Sequence, residues 1–267
     1  RIRKKNKLMK INSPQFNLMQ RACMKAAKTL IRDFGEVEKL QVSEKGPGDF
    51  VTASDKRVEK IIIKELSNSD YSFLTEEQGR IEGKIKDRRW IIDPIDGTTN
   101  FLNGLPHFAI SIAFEEKGEI ISGIIFDPIK NEIFSAHKGM GAYLNNTRIR
   151  VSKKSEFKNA FLVTGGPRFV SKKRDDIFEE FKKISNIIKP PIRKSGSAAL
   201  DLAYVAAGRY DGAWQRELNY WDIAAGIIIL KEAGGYIENL VDNKFDKTSL
   251  DIVATNSKIH KELCNLL

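Results

Sequence analysis

Two aspartates three residues apart, Asp93 and Asp96, stand in a Pro/Gly-interrupted turn that closes the apolar run Trp90-Ile91-Ile92. Two threonines follow at once, in the string Asp93-Pro94-Ile95-Asp96-Gly97-Thr98-Thr99-Asn100-Phe101. No Lys or Arg lies between Asp93 and Asn100, so the segment does not neutralise its own carboxylates. A divalent cation is the simplest partner for them, and an all-oxygen donor set favours Mg²⁺ or Mn²⁺ over zinc. The apolar run reads as a short buried strand, the turn as its exposed carboxyl end, and Gly97-Thr98-Thr99-Asn100 as a helix start. Helix starts present free backbone N–H groups and the positive end of the dipole, which suits a phosphate. Metal and phosphate side by side point to phosphoryl chemistry. Asp-Pro and Asp-Gly are also ordinary turn dipeptides, and a lone Asp-x-x-Asp means no more than that.

The complete string from Trp90 to Phe101 is far more specific. It resembles the signature of the inositol monophosphatase family, part of the lithium-sensitive, Mg²⁺-dependent phosphatase superfamily. Three further matches occur: Gly48-Asp49-Phe50-Val51-Thr52-Ala53-Ser54-Asp55, Phe73-Leu74-Thr75-Glu76-Glu77, and Trp221-Asp222-Ile223-Ala224-Ala225-Gly226 followed by Glu232-Ala233-Gly234-Gly235. The resemblance implies an α+β and α/β layered fold, the five-layer αβαβα sandwich of the sugar phosphatases. It also implies that Glu76, Asp93 and the Ile95 carbonyl hold one metal, while Asp93, Asp96 and Asp222 hold a second, with Asp93 bridging. Thr98 and Asp55 match the family pair that orients and helps deprotonate the attacking water, with Glu76 beside them in catalysis. The N–H groups of Gly97 and Thr98 would meet the phosphate. Asp96, Asp222 and the turn Gly196-Ser197-Ala198 would contact the sugar, and the loop Thr164-Gly165-Gly166-Pro167 would border the pocket. Lys45 would shield negative charge near the water. A family glutamate that bonds a substrate hydroxyl falls on Gln215, which keeps hydrogen-bonding capacity and loses a charge.

Read without the family, several of these residues keep a second meaning. Asp55 and Asp222 read equally as helix caps, and Glu76-Glu77 as solvated surface. Spacing does not decide which of the two glutamates turns inward. With the family, the expected activity is Mg²⁺-dependent hydrolysis of a small polyol phosphate, myo-inositol 1-phosphate first, with Mn²⁺ as a substitute. Histidinol phosphate, fructose 1,6-bisphosphate and 3′-phosphoadenosine 5′-phosphate are the rival substrates. Lithium inhibition and a homodimer are family expectations. Some bacterial relatives also associate with the transcription machinery during ribosomal RNA synthesis, a role that a basic surface would suit.

That surface is real in the composition: the net charge is +10, and Arg1, Arg3, Lys4, Lys5, Lys7 and Lys10 crowd the first ten residues. Aromatic interleaving and RNA-binding signatures are absent, so solvated lysine-rich faces are the simpler account. No apolar run approaches the roughly 20 residues that cross a bilayer, and no secretory segment follows the basic start, so a cytoplasmic protein is expected. Cys23 and Cys264 sit in helical patterns without metal-ligand spacing and read as buried free thiols.

The elements that must position the site follow from periodicity and punctuation. Ser13-Pro14 starts a helix that ends at Gly35, and Asp55 opens a second. Tyr71 to Thr75 and Arg89 to Ile92 read as strands, and Phe108 to Val151 as an antiparallel meander. A strand near Phe161-Leu162-Val163, a small-residue helix from Ser197 to Ala207, a strand from Tyr210 to Gln215 and a helix from Asp222 to Ala233 follow. Within the last, Ile223 to Leu230 reads as fully buried. Asp251 to Thr255 is a late strand before a terminal helix. Lys189-Pro190-Pro191 divides an N-terminal α+β part, residues 1–189, from a C-terminal α/β part, residues 190–267.

Overall fold

Capping chemistry sets where the first two helices begin. Helix α1 (Pro14–Phe34) starts with Ser13 accepting the Phe16 N–H at 3.1 Å and with proline in its first turn, as the sequence predicts. It buries Met19, Ala22, Cys23, Ala26, Ala27 and Leu30 as one face. Helix α2 (Ala53–Leu66) begins two residues before the expected Asp55. Thr52 is the cap, and Asp55, three residues on, accepts a hydrogen bond from the Thr52 N–H at 2.7 Å. The computed structural model describes residues 13–36, 42–46, 49–166, 171–242, 245 and 250–267. The basic cluster of the first ten residues, Gly48, Pro167 and the Lys45 side chain lie outside the described residues.

A hairpin of β1 (Val42–Gly46) and β2 (Asp49–Thr52) leads into α2. The main sheet has eight strands: β3 (Tyr71–Thr75), β4 (Gly79–Ile81), β5 (Ile85–Asp96), β6 (Ala109–Glu116), β7 (Glu119–Asp127), β8 (Glu132–His137), β9 (Gly141–Leu144) and β10 (Thr147–Ile149). Their order is β10-β9-β8-β7-β6-β5-β3-β4, so the expected meander is present as β6 to β10. Only β3 and β5 pair in parallel. Strand β5 is longer than expected and its end is buried rather than exposed, with Asp93 2% and Asp96 8% accessible.

The second sheet orders β11 (Leu162–Thr164), β12 (Gly212–Leu218), β14 (Leu250–Thr255) and β13 (Tyr236–Asn239), so β13 forms an edge. Helices α5 (Ala198–Ala206) and α6 (Tyr220–Glu232) lie between the two sheets. Helix α6 starts before the expected Asp222, because Asn219 is the cap and Asp222 the third residue of a capping box. Its segment Ile223 to Leu230 is buried throughout. Helices α1 and α2 cover the outer face of the large sheet, while α4 (Arg174–Ser185) and α7 (His260–Cys264) cover the small one. The five layers αβαβα are complete. Cys23 is buried as expected; Cys264 is only half-buried.

Candidate active site

Three segments of the polypeptide deliver four acids to one place. In a regular strand, residues three apart face opposite sides. The register of β5 against β6 slips between Asp93 and Asp96, where Pro94 has no N–H to contribute. That bulge turns both carboxylates to one site, as their mutual electrostatic effect records. Glu76 follows β3, which pairs with β5 up to Thr75 and Ile92, so it arrives beside Asp93. Asp222 comes from the first turn of α6, held by the Asn219 N–H at 2.8 Å.

Burial and like charge push the Asp93 carboxyl well above the usual range, first through desolvation and then through Glu76, Asp96 and Asp222. Glu76 also lies in hydrogen-bond range of Asp93. Two carboxylates that close need a shared proton or a cation between them. Among the described residues, the neighbouring charges with the largest effect on Asp93 are acidic. Asp96 is pushed up to about 6 by burial, despite accepting bonds from the Ser197 hydroxyl, the Ala198 N–H at 3.2 Å and the Ala199 N–H at 2.8 Å. These oxygens fit a hard divalent cation such as Mg²⁺ or Mn²⁺ and offer no soft donor. The four acids are more open than a single tight cage: among the described residues, the one trio of ligand atoms all within 4.8 Å of one another lies elsewhere.

Beside the acids, the Thr98 hydroxyl lies 2.9 Å from the Ile95 carbonyl and 3.2 Å from Asp55 Oδ1. With one proton, it donates to one of them at a time. Asp55 is raised to about 6 by burial, against the bonds it accepts from Thr52. Gly97 caps α3 (Thr98–Leu102) at φ 96°, and a Cβ there would stand 3.1 Å from both the Gly196 and His107 carbonyls. Glycine is therefore required on conformational and steric grounds. Helix α3 spans five residues, so its dipole is small and its start offers mainly N–H groups.

Sequence reasoning assigned no role to four residues that hold this arrangement together. Asn100 Nδ2 donates to the His107 and Ser195 carbonyls, each at 2.8 Å, stitching the Asp93–Thr98 loop to the Gly196 turn. Glu59 is fully buried, accepts the Glu77 N–H at 3.0 Å and Gln78 Nε2 at 2.8 Å, and so fixes the Glu76 corner. Its position one turn after Asp55 on α2 was the available signal. Asp201 accepts Gln215 Nε2 at 2.8 Å, and burial followed by the charge of Asp96 raises it well above the usual range. Ser195, next to Gly196, supplies the carbonyl that Asn100 meets. Gln215 is thus brought near the site with its N–H₂ committed, and its Oε1 faces Gly165. Ser197 and Ala198 are bonded to Asp96, so the turn meets a carboxylate first. Cavities of about 340 Å³ beside Arg216 and Glu180, and about 150 Å³ beside Arg89 and Glu115, lie apart from these residues. Each wall contains a formed ion pair, Arg216 with Glu180 and Arg89 with Glu115, and neither is lined by Glu76, Asp93, Asp96 or Asp222.

Known proteins match this chain along nearly its whole length. The family model described as "Inositol monophosphatase family" matches residues 12–267. An inositol-1-monophosphatase of Mesorhizobium japonicum is 43% identical over 253 residues, covering 94% of this chain and 95% of that protein. A Nus factor SuhB of Pasteurella multocida is 41% identical over 257 residues, 95% of each. The crystal structure of the extragenic suppressor protein suhB from Bartonella henselae superposes with a TM-score of 0.90 at 43% identity, covering 95% of this chain and 98% of that one. With the match running almost end to end in sequence and fold, the chain belongs to the inositol monophosphatase family.

Proposed function

We propose that this protein hydrolyses a small polyol phosphate monoester, myo-inositol 1-phosphate first, with Mg²⁺ as cofactor and Mn²⁺ as a substitute. The observation that carries the reading is Asp93: a 2% accessible carboxylate surrounded by Glu76, Asp96 and Asp222. Such a group is tolerable only when neutralised. The family is metal-dependent, typically on Mg²⁺, and its members act on phosphate esters. Glu76, Asp93 and the Ile95 carbonyl would hold one ion, and Asp93, Asp96 and Asp222 another. Bound there, the ions would supply acidity to the attacking water and neutralise charge on the phosphate oxygens.

The chain's own groups do the rest. Gly97 and Thr98 turn backbone N–H groups to the phosphate, and the missing Cβ of Gly97 leaves room for it. The Thr98 hydroxyl accepts a hydrogen bond from the attacking water and donates its own to Asp55 Oδ1, 3.2 Å away, so that as the water loses a proton to Oγ1 the hydroxyl proton moves to Asp55. Asp55 near pKa 6 is a base close to neutrality. Gln215 Oε1 accepts from a substrate hydroxyl while Asp201 holds its amide nitrogen. A serine, cysteine or histidine nucleophile is not required.

Phosphate release from a panel of four substrates, in Mg²⁺ and in EDTA, tests the reading. Release from myo-inositol 1-phosphate in Mg²⁺ and none in EDTA is expected. Histidinol phosphate turned over at least about tenfold more efficiently, ~1.4 kcal/mol of transition-state binding, overturns the substrate assignment. The relatives called Nus factor SuhB support a second role beside the transcription machinery. Asp93→Asn separates the two, because it removes phosphate release and leaves a binding surface intact.

A further inference from the structure

Away from the acidic cluster, three side chains of different chemistry meet where α7 packs on the edge strand β13. Cys264 Sγ lies 3.2 Å from Glu238 Oε1 and 3.4 Å from His260 Nε2, and Nε2 lies 3.3 Å from Oε1. Among the described residues this is the one trio of His, Cys, Asp or Glu ligand atoms all within 4.8 Å of one another. His260 and Cys264 are one helical turn apart on α7 and share a face. Glu238 reaches them from β13. The sequence reading found no metal-ligand spacing at Cys264; the fold brings it beside His260 and Glu238.

We propose that Glu238, His260 and Cys264 form a binding site for one zinc-class cation, with water in the fourth position, separate from the Mg²⁺ site. Tetrahedral zinc with a Zn–S bond of about 2.3 Å and Zn–N and Zn–O bonds of about 2.05 Å requires ligand separations of about 3.6 Å for S···N and S···O and about 3.3 Å for N···O. The separations here are 3.4, 3.2 and 3.3 Å. The triangle already matches one face of the tetrahedron to within about 0.4 Å.

The surroundings orient the imidazole. Thr255 Oγ1 lies 3.0 Å from His260 Nδ1 and accepts the Ser257 N–H at 3.3 Å. It can accept from Nδ1–H as well, the tautomer that leaves the Nε2 lone pair facing Sγ and Oε1. The Tyr236 ring packs edge-on against His260 at 4.5 Å and fixes its plane. Without a cation the thiol donates to Glu238, and burial together with that carboxylate pushes it up to about 12. A dication reverses the influence of Glu238. Binding forms one metal–sulfur bond, breaks the S–H bond and releases that proton to solvent. Thiolate and imidazole select zinc, whereas the all-oxygen catalytic set selects Mg²⁺. The ion would staple the terminal helix to the sheet edge.

The test uses the full chain, stripped with EDTA and returned to excess Mg²⁺, then titrated with Co²⁺ and Zn²⁺. One equivalent of Co²⁺ with a near-ultraviolet sulfur-to-cobalt charge-transfer band, displaced by Zn²⁺, is expected. Cys264→Ser should abolish the band, weaken Zn²⁺ binding at least about tenfold and remove the Zn²⁺-induced rise in unfolding temperature. Cys23→Ala and Asp93→Asn should keep the band, which assigns the sulfur and separates this site from the catalytic one. Absence of the band in the unmodified chain, or Zn²⁺ binding unchanged by Cys264→Ser, overturns the proposal.

Discussion

Replacing Asp93 with asparagine separates its charge from its shape. The amide keeps an oxygen for the Ile95 N–H, which Oδ1 now accepts at 2.9 Å, and discards the negative charge. Asp96 calibrates the effect. It accepts three bonds around Ser197 and is still raised from 3.8 to about 6. A rise of that size corresponds to ~3 kcal/mol lost by the native state at neutral pH. Asp93 accepts the Ile95 N–H and has three acids acting on it, and burial raises it in the same direction. Asp93→Asn should therefore stabilise the metal-free protein and raise its Tm; a change the size of the Asp96 figure would read as about 5 °C for a chain of this length. In saturating Mg²⁺ the order reverses, because wild type gains the binding energy of the ions and the variant does not. Calorimetry in EDTA and in Mg²⁺, with phosphate release measured alongside, reads both halves. A variant less stable than wild type in EDTA, or one that Mg²⁺ stabilises as much as wild type, refutes the reasoning.

Asp55 gives a pH test. Its native pKa, near 6, exceeds the usual 3.8, so the folded chain binds the proton more tightly than the unfolded one. Its contribution to metal-free stability accordingly falls as pH rises from about 4 through about 6, and it is constant above that window. Asp55→Asn should flatten this part of the calorimetric pH profile; an unchanged slope contradicts the assignment. Gly97→Ala forces a side chain into φ 96° and against two carbonyls at 3.1 Å, for a loss of ~2 kcal/mol in urea unfolding. Its kcat/KM should fall at least about tenfold, and a fully active variant excludes close phosphate approach at this turn. Gln215→Glu sets a second carboxylate against buried Asp201 and should destabilise by roughly 2 kcal/mol. Asp201→Asn in the same chain should restore most of that loss, and failure to do so separates the two side chains energetically.

Strand, turn and helix around Asp93 were legible because an apolar run, a proline, a glycine and a threonine pair punctuate them locally. The bulge at Pro94 was not, although it turns Asp96 toward Asp93. Alternation alone would have put them on opposite faces. Helix starts were displaced for one reason at both Asp55 and Asp222: an acid at the third helical position of a capping box looks, in sequence, like the cap itself. The short strand β4 and the β1–β2 hairpin carry too few residues for periodicity to speak. Asn100 stood inside the recognised string, yet its partner Ser195 is 95 positions away. Glu238, His260 and Cys264 show the same limit. The one-turn spacing on α7 was readable, while the arrival of β13 required the fold.

Acids remote in sequence meet around Asp93, and we propose that divalent cations neutralise them there. A crystal soaked in Mn²⁺ with a polyol phosphate tests it directly through anomalous scattering. The account requires manganese peaks about 2.1 Å from carboxylate oxygens of Glu76, Asp93, Asp96 and Asp222, with the phosphate against Gly97 and Thr98. Manganese bound elsewhere while these four side chains remain free of metal would contradict it.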